Sequence, residues 1–271
     1  MKPIQIAIAV MALALVGVWG INFLLTPDYA NRLYDEPPAE AATVIFVGNS
    51  HTSVNHLPNM VERLADADEG HRPMWVQMHA PGGWSLPEHV HHGGAAQMMD
   101  IFDADYVVIQ GVSVGPLVWP DDYLEGFFEL SKLASQSGAQ AILYQPWPRH
   151  PERDAWDTYA QPETPDDIDG AFAKIEAITQ RGVDESSAIM AAVGRAWEEV
   201  RLSAQPIDLY DDDGNHANEA GTYLAALVIY GTMRDSALPV EPWRPSSISD
   251  EKATALREVA QQVLADQKPS E

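Results

Sequence analysis

A serine near the start of the chain and an Asp–His pair near its end have the types and spacing to do chemistry together. Ser50 lies in Gly48-Asn49-Ser50-His51-Thr52, directly after the apolar run Val44-Ile45-Phe46-Val47, which has the length and composition of a buried strand. Asp213-Gly214-Asn215-His216 puts an acid and an imidazole three residues apart, between a second apolar run, Ile207 to Tyr210, and a segment of helical pattern. Serine first, then Asp and His together, is one of the orders in which a hydrolytic triad is laid along a chain. A serine hydroxyl is a poor nucleophile at neutral pH, so His216 would take its proton and later return it to the leaving alkoxide. Asp213 would fix the imidazole tautomer and stabilise its charged form. Asp213 reaches the far ring nitrogen only if the chain turns, and Gly214-Asn215 permits such a turn. Alone, Ser50 reads as a turn former and His216 as a surface or capping residue; together and in this order they point to acyl transfer from an ester. Asp211 and Asp212 read as solvated loop acids.

At four places these residues resemble the SGNH, or GDSL-like, hydrolases. Gly48-Asn49-Ser50 stands where the family more often has Gly-Asp-Ser. Gly82-Gly83-Trp84-Ser85-Leu86, with His89 following, falls where the family places a glycine whose backbone N–H serves the oxyanion hole. The run from Asp105 to Ser113 looks like the third strand and the turn after it. The usual Gly-x-Asn-Asp is missing there, and the run Gln110 to Ser113 is closer to an uncharacterised bacterial branch of the superfamily with a Gln-containing third block. Asp213-x-x-His216, followed by Asn218 and Gly221, matches the last block. The matches span Thr43 to about Met233, roughly seven tenths of the chain.

The resemblance implies a flavodoxin-like three-layer fold and a serine esterase that needs no metal or cofactor. Its oxyanion donors would be the N–H groups of Ser50 and Gly83 and a side-chain amide; with the family's Asn absent, Gln110 is the replacement and Ser113 the second choice. Asn49, Trp84, Trp147 and Arg149 are candidate substrate contacts, although the Trp84 ring reads as packing ahead of substrate stacking. The implied substrate is a small acyl ester, an acetylated carbohydrate above all. Acetyl transfer to envelope glycans needs the same triad. The irregular third block instead favours a binding or assembly module with weak turnover.

Positioning these residues on one rim requires strands that end together. Strand-like runs at 43–47, 74–79, 105–110, 140–145 and 206–210 are separated by stretches of helical period, among them Leu57, Met60, Val61 and Leu64, and Phe127, Leu130 and Leu133. Such alternation predicts right-handed β-α-β units: an α/β three-layer sandwich around a mostly parallel five-stranded sheet. Ligands then lie beyond the carboxyl ends of the strands, where Ser50, Gly83, Gln110 and Asp213 all fall. From Trp147 to Asp169 a stretch rich in prolines, acids and aromatics, including His150, Trp156 and Tyr159, reads as a long loop on the same rim, either a substrate loop or a connection. From Ser249 a cap, two acids and an apolar face of Ala253, Leu256, Val259, Ala260, Val263 and Leu264 predict a packing helix.

Composition bounds the partners. The 271 residues, 46% hydrophobic, provide one core, and the block spacing favours one domain. Forty acidic against sixteen basic residues, a formal charge of −24, argue against nucleic acid, which needs clustered Lys and Arg. Without cysteine there are no disulfides, thiol nucleophiles or Cys-based zinc sites. His79, Glu88, His89, His91 and His92 raise a metal reading, but adjacent histidines rarely share one ion and no distant third ligand is evident, so no metal is expected. Ile4 to Leu25 is uncharged and almost wholly apolar, 22 residues that as a helix would cover about 33 Å, enough to cross a bilayer core. The chain therefore divides into a membrane anchor or signal segment (1–26), a proline-containing tether (27–42) and a catalytic domain with a C-terminal helix (43–271). The catalytic part is expected outside the cytoplasm, periplasmic if the cell is Gram-negative.

Overall fold

The computed structural model describes residues 36–153, 164–234 and 236–267. Short apolar runs form five strands, β1 (Ala42–Val47), β2 (Met74–His79), β3 (Tyr106–Ile109), β4 (Gln140–Tyr144) and β5 (Ile189–Ala191). They pair in the order β2-β1-β3-β4-β5, every pair parallel. β1 is buried at all of its positions, as a strand covered on both faces must be. Its side chains alternate between two cores, Val44 and Phe46 in one and Ile45 and Val47 in the other.

Between and after the strands run α1 (Ser50–Ser53), α2 (Leu57–Asp66), α3 (Leu86–His92), α4 (Gly94–Phe102), α5 (Gly115–Val118), α6 (Pro120–Gln136), α7 (Ile168–Asp184), α8 (Val193–Leu202), α9 (Glu219–Arg234) and α10 (Asp250–Asp266). On one face α2, α8, α9 and α10 bury Leu57, Trp197, Leu227 and Leu256 against Val44 and Phe46. On the other, α3, α4 and α6 bury Leu86, Met98 and Phe127 against Ile45 and Val47. The Ser249 side chain caps α10 by accepting from Lys252 N–H, and the expected face of that helix is the one that packs, with Val259 half-buried at its margin.

One expected strand is absent. The run 206–210 buries Leu209, yet its only ladder contact is an isolated antiparallel bridge from Tyr210 to Ala217. Asn218 takes over its carbonyls, the side chain donating to Asp208 and Tyr210 and the backbone N–H to Leu209. The fifth strand is Ile189–Ala191, a three-residue edge strand too short to carry a period-2 signal. The predicted anchor, Ile4 to Leu25, lies outside the described residues, as do residues 27–35 of the tether and Trp156 and Tyr159 of the rim loop. Among the described residues no helix is long and apolar enough to cross a membrane.

From β1 the chain moves outward one way to β2 and the other way through β3, β4 and β5, so the winding reverses between β1 and β3. Connections diverge there to opposite faces and leave a crevice beyond the carboxyl ends of the two strands. The segments that follow β1 and β3 carry Ser50, and Gln110 and Ser113, respectively.

Candidate active site

The serine turn is built from polar contacts around one peptide unit. A Cβ at Gly48 would lie 2.2 Å from Thr52 Oγ1 and 2.7 Å from Gln110 Oε1, so only glycine fits. The Gly48 carbonyl accepts from His89 Nε2–H at 2.8 Å, and the Asn49 N–H donates to Gln110 Oε1 at 3.1 Å, which fixes that peptide plane at both ends. Thr52 Oγ1–H donates to the same Gln110 oxygen at 2.9 Å. Asn49 then caps α1, its Oδ1 accepting from His51 N–H at 3.1 Å, and Ser50 is the first residue of the helix. Further on, Asn55 and His56 hold left-handed backbone conformations. Asn55 Nδ2 donates to Ala217 O and Thr222 Oγ1, tying this segment to the chain that follows His216.

Ser50, His216 and Asp213 stand in a hydrogen-bonded series. His216 Nδ1 meets Asp213 Oδ2 at 2.5 Å, and because a carboxylate only accepts, that nitrogen carries the proton. The bare Nε2 then accepts from Ser50 Oγ–H at 2.7 Å. Asp213 Oδ1 accepts the N–H groups of Asn215 and His216 at 2.8 and 2.9 Å, making the Asp-x-x-His turn its own brace. Burial would raise the Asp213 pKa, but the hydrogen bonds from the His216 ring and from these two N–H groups outweigh it and hold it down at about 2. Gly214, at φ +67°, supplies the left-handed residue of the turn.

Asn215, which in the sequence reads only as a turn former, joins the blocks. Its carbonyl accepts from His51 Nε2–H and from Trp147 Nε1–H, each at 3.2 Å. Its Oδ1 accepts from Ser113 Oγ–H at 3.2 Å. His51 packs its ring between those of His216 and Trp147, with centroids 4.8 and 5.2 Å away. Burial, then the neighbouring His216, push the His51 pKa down to about 3, so the ring is a neutral donor. The sequence signal for His51 is its position directly after Ser50; nothing in the sequence alone singles out Asn215 as a hub.

Several predicted contacts sit elsewhere than expected. Trp147 is 1% exposed, its ring stacked on Trp197 at 3.9 Å, and Asn49 is also 1% exposed, so neither presents a side chain to substrate. Gln110 is equally buried; its oxygen braces the serine turn and its amide NH₂ donates to the Gly111 carbonyl, so both ends of the amide are engaged by the protein. The reason is burial at the end of β3, where an amide must satisfy itself on backbone. Arg149 is half-buried, and its charge acts on His51. Gly83, at φ +77° in the turn closed by Trp84 N–H on Pro81 O, is exposed, and Trp84 beside it is half-buried. The Trp84 ring stacks on His92 at 4.6 Å.

His79 and His89 lie beneath this loop with Nδ1 atoms 3.2 Å apart. Since His89 Nε2 gives its proton to Gly48 O, its Nδ1 is bare and His79 Nδ1–H is the donor. Burial holds both near a pKa of about 4, His79 additionally opposing charge on His89. Among the described residues no three His, Cys, Asp or Glu side chains gather as a metal site.

Solved structures with the same fold include a protein from Slackia heliotrinireducens assigned to the SGNH hydrolases. It is 30% identical, with a TM-score of 0.62, covering 71% of this chain and 99% of its own. A DUF4886 family protein from Bacteroides uniformis, 18% identical, superposes at a TM-score of 0.67 over 86% of this chain and 98% of its own. A lipase/acylhydrolase from Enterococcus faecalis, 15% identical, gives 0.52 over 72% and 96%. The last two share the fold alone. No family model matches the chain, and no curated protein does. The identity to the Slackia protein over nearly its whole length agrees with the serine turn after β1 and the Asp-x-x-His turn before α9: the chain belongs to the SGNH hydrolases.

Proposed function

We propose that the protein is a serine hydrolase of small acyl esters. The observation that carries this reading is the unbroken series Asp213–His216–Ser50, with contacts of 2.5 and 2.7 Å and the tautomer that leaves Nε2 facing the hydroxyl. Ser50 Oγ attacks the ester carbonyl as His216 Nε2 takes its proton; the resulting imidazolium gives that proton to the leaving alkoxide, and water repeats the sequence on the acyl-enzyme. The Ser50 and Gly83 N–H groups are the donors for the oxyanion, and Gln110 acts one step back by fixing the serine turn. An acetylated carbohydrate is the favoured substrate class. One protein of the same fold, 13% identical with a TM-score of 0.51, is an acetyl xylan esterase. The segment Ile4 to Leu25 would tether this activity outside the cytoplasm.

A fluorophosphonate probe tests the reading. Covalent labelling at Ser50, its loss in Ser50→Ala, and parallel loss of acetyl-ester hydrolysis are the expected results. Folded protein that stays unlabelled and inactive would point to a binding module; a Ser50→Ala enzyme retaining more than about a tenth of the rate would place the nucleophile elsewhere, since triad members contribute far more than tenfold.

A further inference from the structure

Asn49 makes one contact that capping does not require. Its Oδ1 accepts from His51 N–H at 3.1 Å, and its Nδ2 donates to the Trp84 carbonyl at 2.9 Å. The orientation of the amide is fixed chemically, because one partner can only donate and the other can only accept. Trp84 directly follows Gly83, and Ser50 directly follows Asn49. One buried side chain therefore links the two loops that supply the N–H groups of Ser50 and Gly83. A second tie runs through His89, on the helix after this loop, which holds the Gly48 carbonyl at 2.8 Å and packs against the Trp84 ring, but it does not hold the backbone at Gly83. The Gly82–Gly83 segment is exposed, and its internal bond, from Trp84 N–H to Pro81 O, is 3.3 Å long.

We propose that Asn49 is a positioning residue that sets the distance between the two oxyanion donors through the Trp84 carbonyl; this rests on the esterase reading above. The proposal gives a physical reason for Asn at this position. Aspartate is an equally good helix cap and would keep the bond from His51 N–H. An ionised carboxylate cannot donate to a carbonyl, and at a site 1% exposed its oxygen would face the Trp84 oxygen and push the loop away. Protonation of that carboxyl restores a donor. Asn49→Asp thus separates the clamp from the cap and makes the clamp titratable.

The experiment compares Asn49→Asp with wild type on a chromogenic acetyl ester from pH 8.5 to pH 5, taking the ratio of kcat values at each pH. The titratable groups around the loops, His51 on α1, His79 on β2, Glu88, His89 and His92 on α3, and His216 with Asp213, are present in both proteins, so the ratio isolates the pH dependence that the new carboxylate introduces, and Asn49→Ser, which adds no charge, is the reference for it. Losing one oxyanion donor costs about 100-fold to 1000-fold, so displacing one is expected to lower kcat by roughly 30-fold or more at pH 8.5, with KM within about threefold. The ratio should recover at least about fivefold toward pH 5. Asn49→Ser keeps a cap acceptor but cannot span to Trp84, so its ratio should be low and independent of pH. A ratio for Asn49→Asp within about threefold of unity at pH 8.5, or a low ratio that is flat with pH like that of Asn49→Ser, overturns the clamp. If Asn49→Asp does not fold, Asn49→Ser decides, and a kcat within about threefold of wild type overturns the clamp. Wild-type protein that neither hydrolyses the ester nor labels at Ser50 instead overturns the esterase reading on which the clamp rests.

Discussion

The site turns on which nitrogen of His216 holds the proton. Asp213 settles that by accepting at Nδ1, and it can do so because its other oxygen is filled by the N–H groups of Asn215 and His216. With its pKa held at about 2 the carboxylate stays charged through any working pH. Asp213→Asn removes both advantages, because the amide can present its NH₂ to Nδ1, leaving the ring proton on Nε2, where it meets the serine hydroxyl as a donor. The expected result is a kcat lower by about a thousandfold or more with an unchanged fold; steady-state kinetics beside a circular dichroism spectrum measure it, and a loss below about tenfold would show that Asp213 does not set the tautomer.

At the scale of elements, the site depends on how β1 and β3 end. The two strands are paired through Val47 and Ile109, and the residue after β3 continues the registry: Gln110 N–H donates to Val47 O, and the Gln110 side chain accepts from Asn49 N–H and Thr52 Oγ1–H. Gln110→Ala strips the acceptor from a buried N–H and a buried hydroxyl. An unsatisfied buried donor costs about 1–3 kcal/mol, so the variant should lose stability of that order in urea unfolding and, because the serine turn relaxes, lose roughly tenfold or more in kcat. A variant as stable as wild type with kinetics within threefold would deny the glutamine its brace. The opposite wall is made by α3, whose His89 holds the Gly48 carbonyl.

Across the whole molecule, buried neutral histidines make stability depend on pH. His51, His79 and His89 are 7%, 6% and 1% exposed and have folded pKa values of about 3, 4 and 4, against about 6.5 when unfolded. Their pKa values are depressed by folding, so between about pH 6.5 and 4 the unfolded chain binds more protons and stability must rise with pH. For His89 alone the difference is on the order of a few kcal/mol. The urea midpoint should therefore be flat above about pH 7 and fall steadily as the pH drops from 6.5 toward 4. His89→Gln, which can still donate to Gly48 O but does not titrate in this range, should flatten that fall. A midpoint constant from pH 7 to 4.5 would mean that these rings are not buried neutral.

Local signals were enough to single out Ser50, Asp213 and His216, which the fold brings into one hydrogen-bonded series, and to read four of the strands from the chain. Val44 to Val47 announces a buried strand by composition, Gly48 and Gly214 mark turns, and Asp213 lies near enough in sequence to His216 for a short turn to join them. Legibility ended where a contact crosses the fold. The three-residue β5 carries no period of its own and exists because β4 offers it an edge, whereas 206–210 looked like a strand and lost its carbonyls to Asn218. Trp147 and Asn49, read as substrate contacts, are buried, and Gln110 faces a peptide 61 residues away. Composition and spacing determine which residues can do chemistry, because those are properties of neighbours along the chain. Which polar atoms are left to meet a substrate was decided only by tertiary packing, because each buried donor and acceptor must find a partner and takes the one that the fold brings to it.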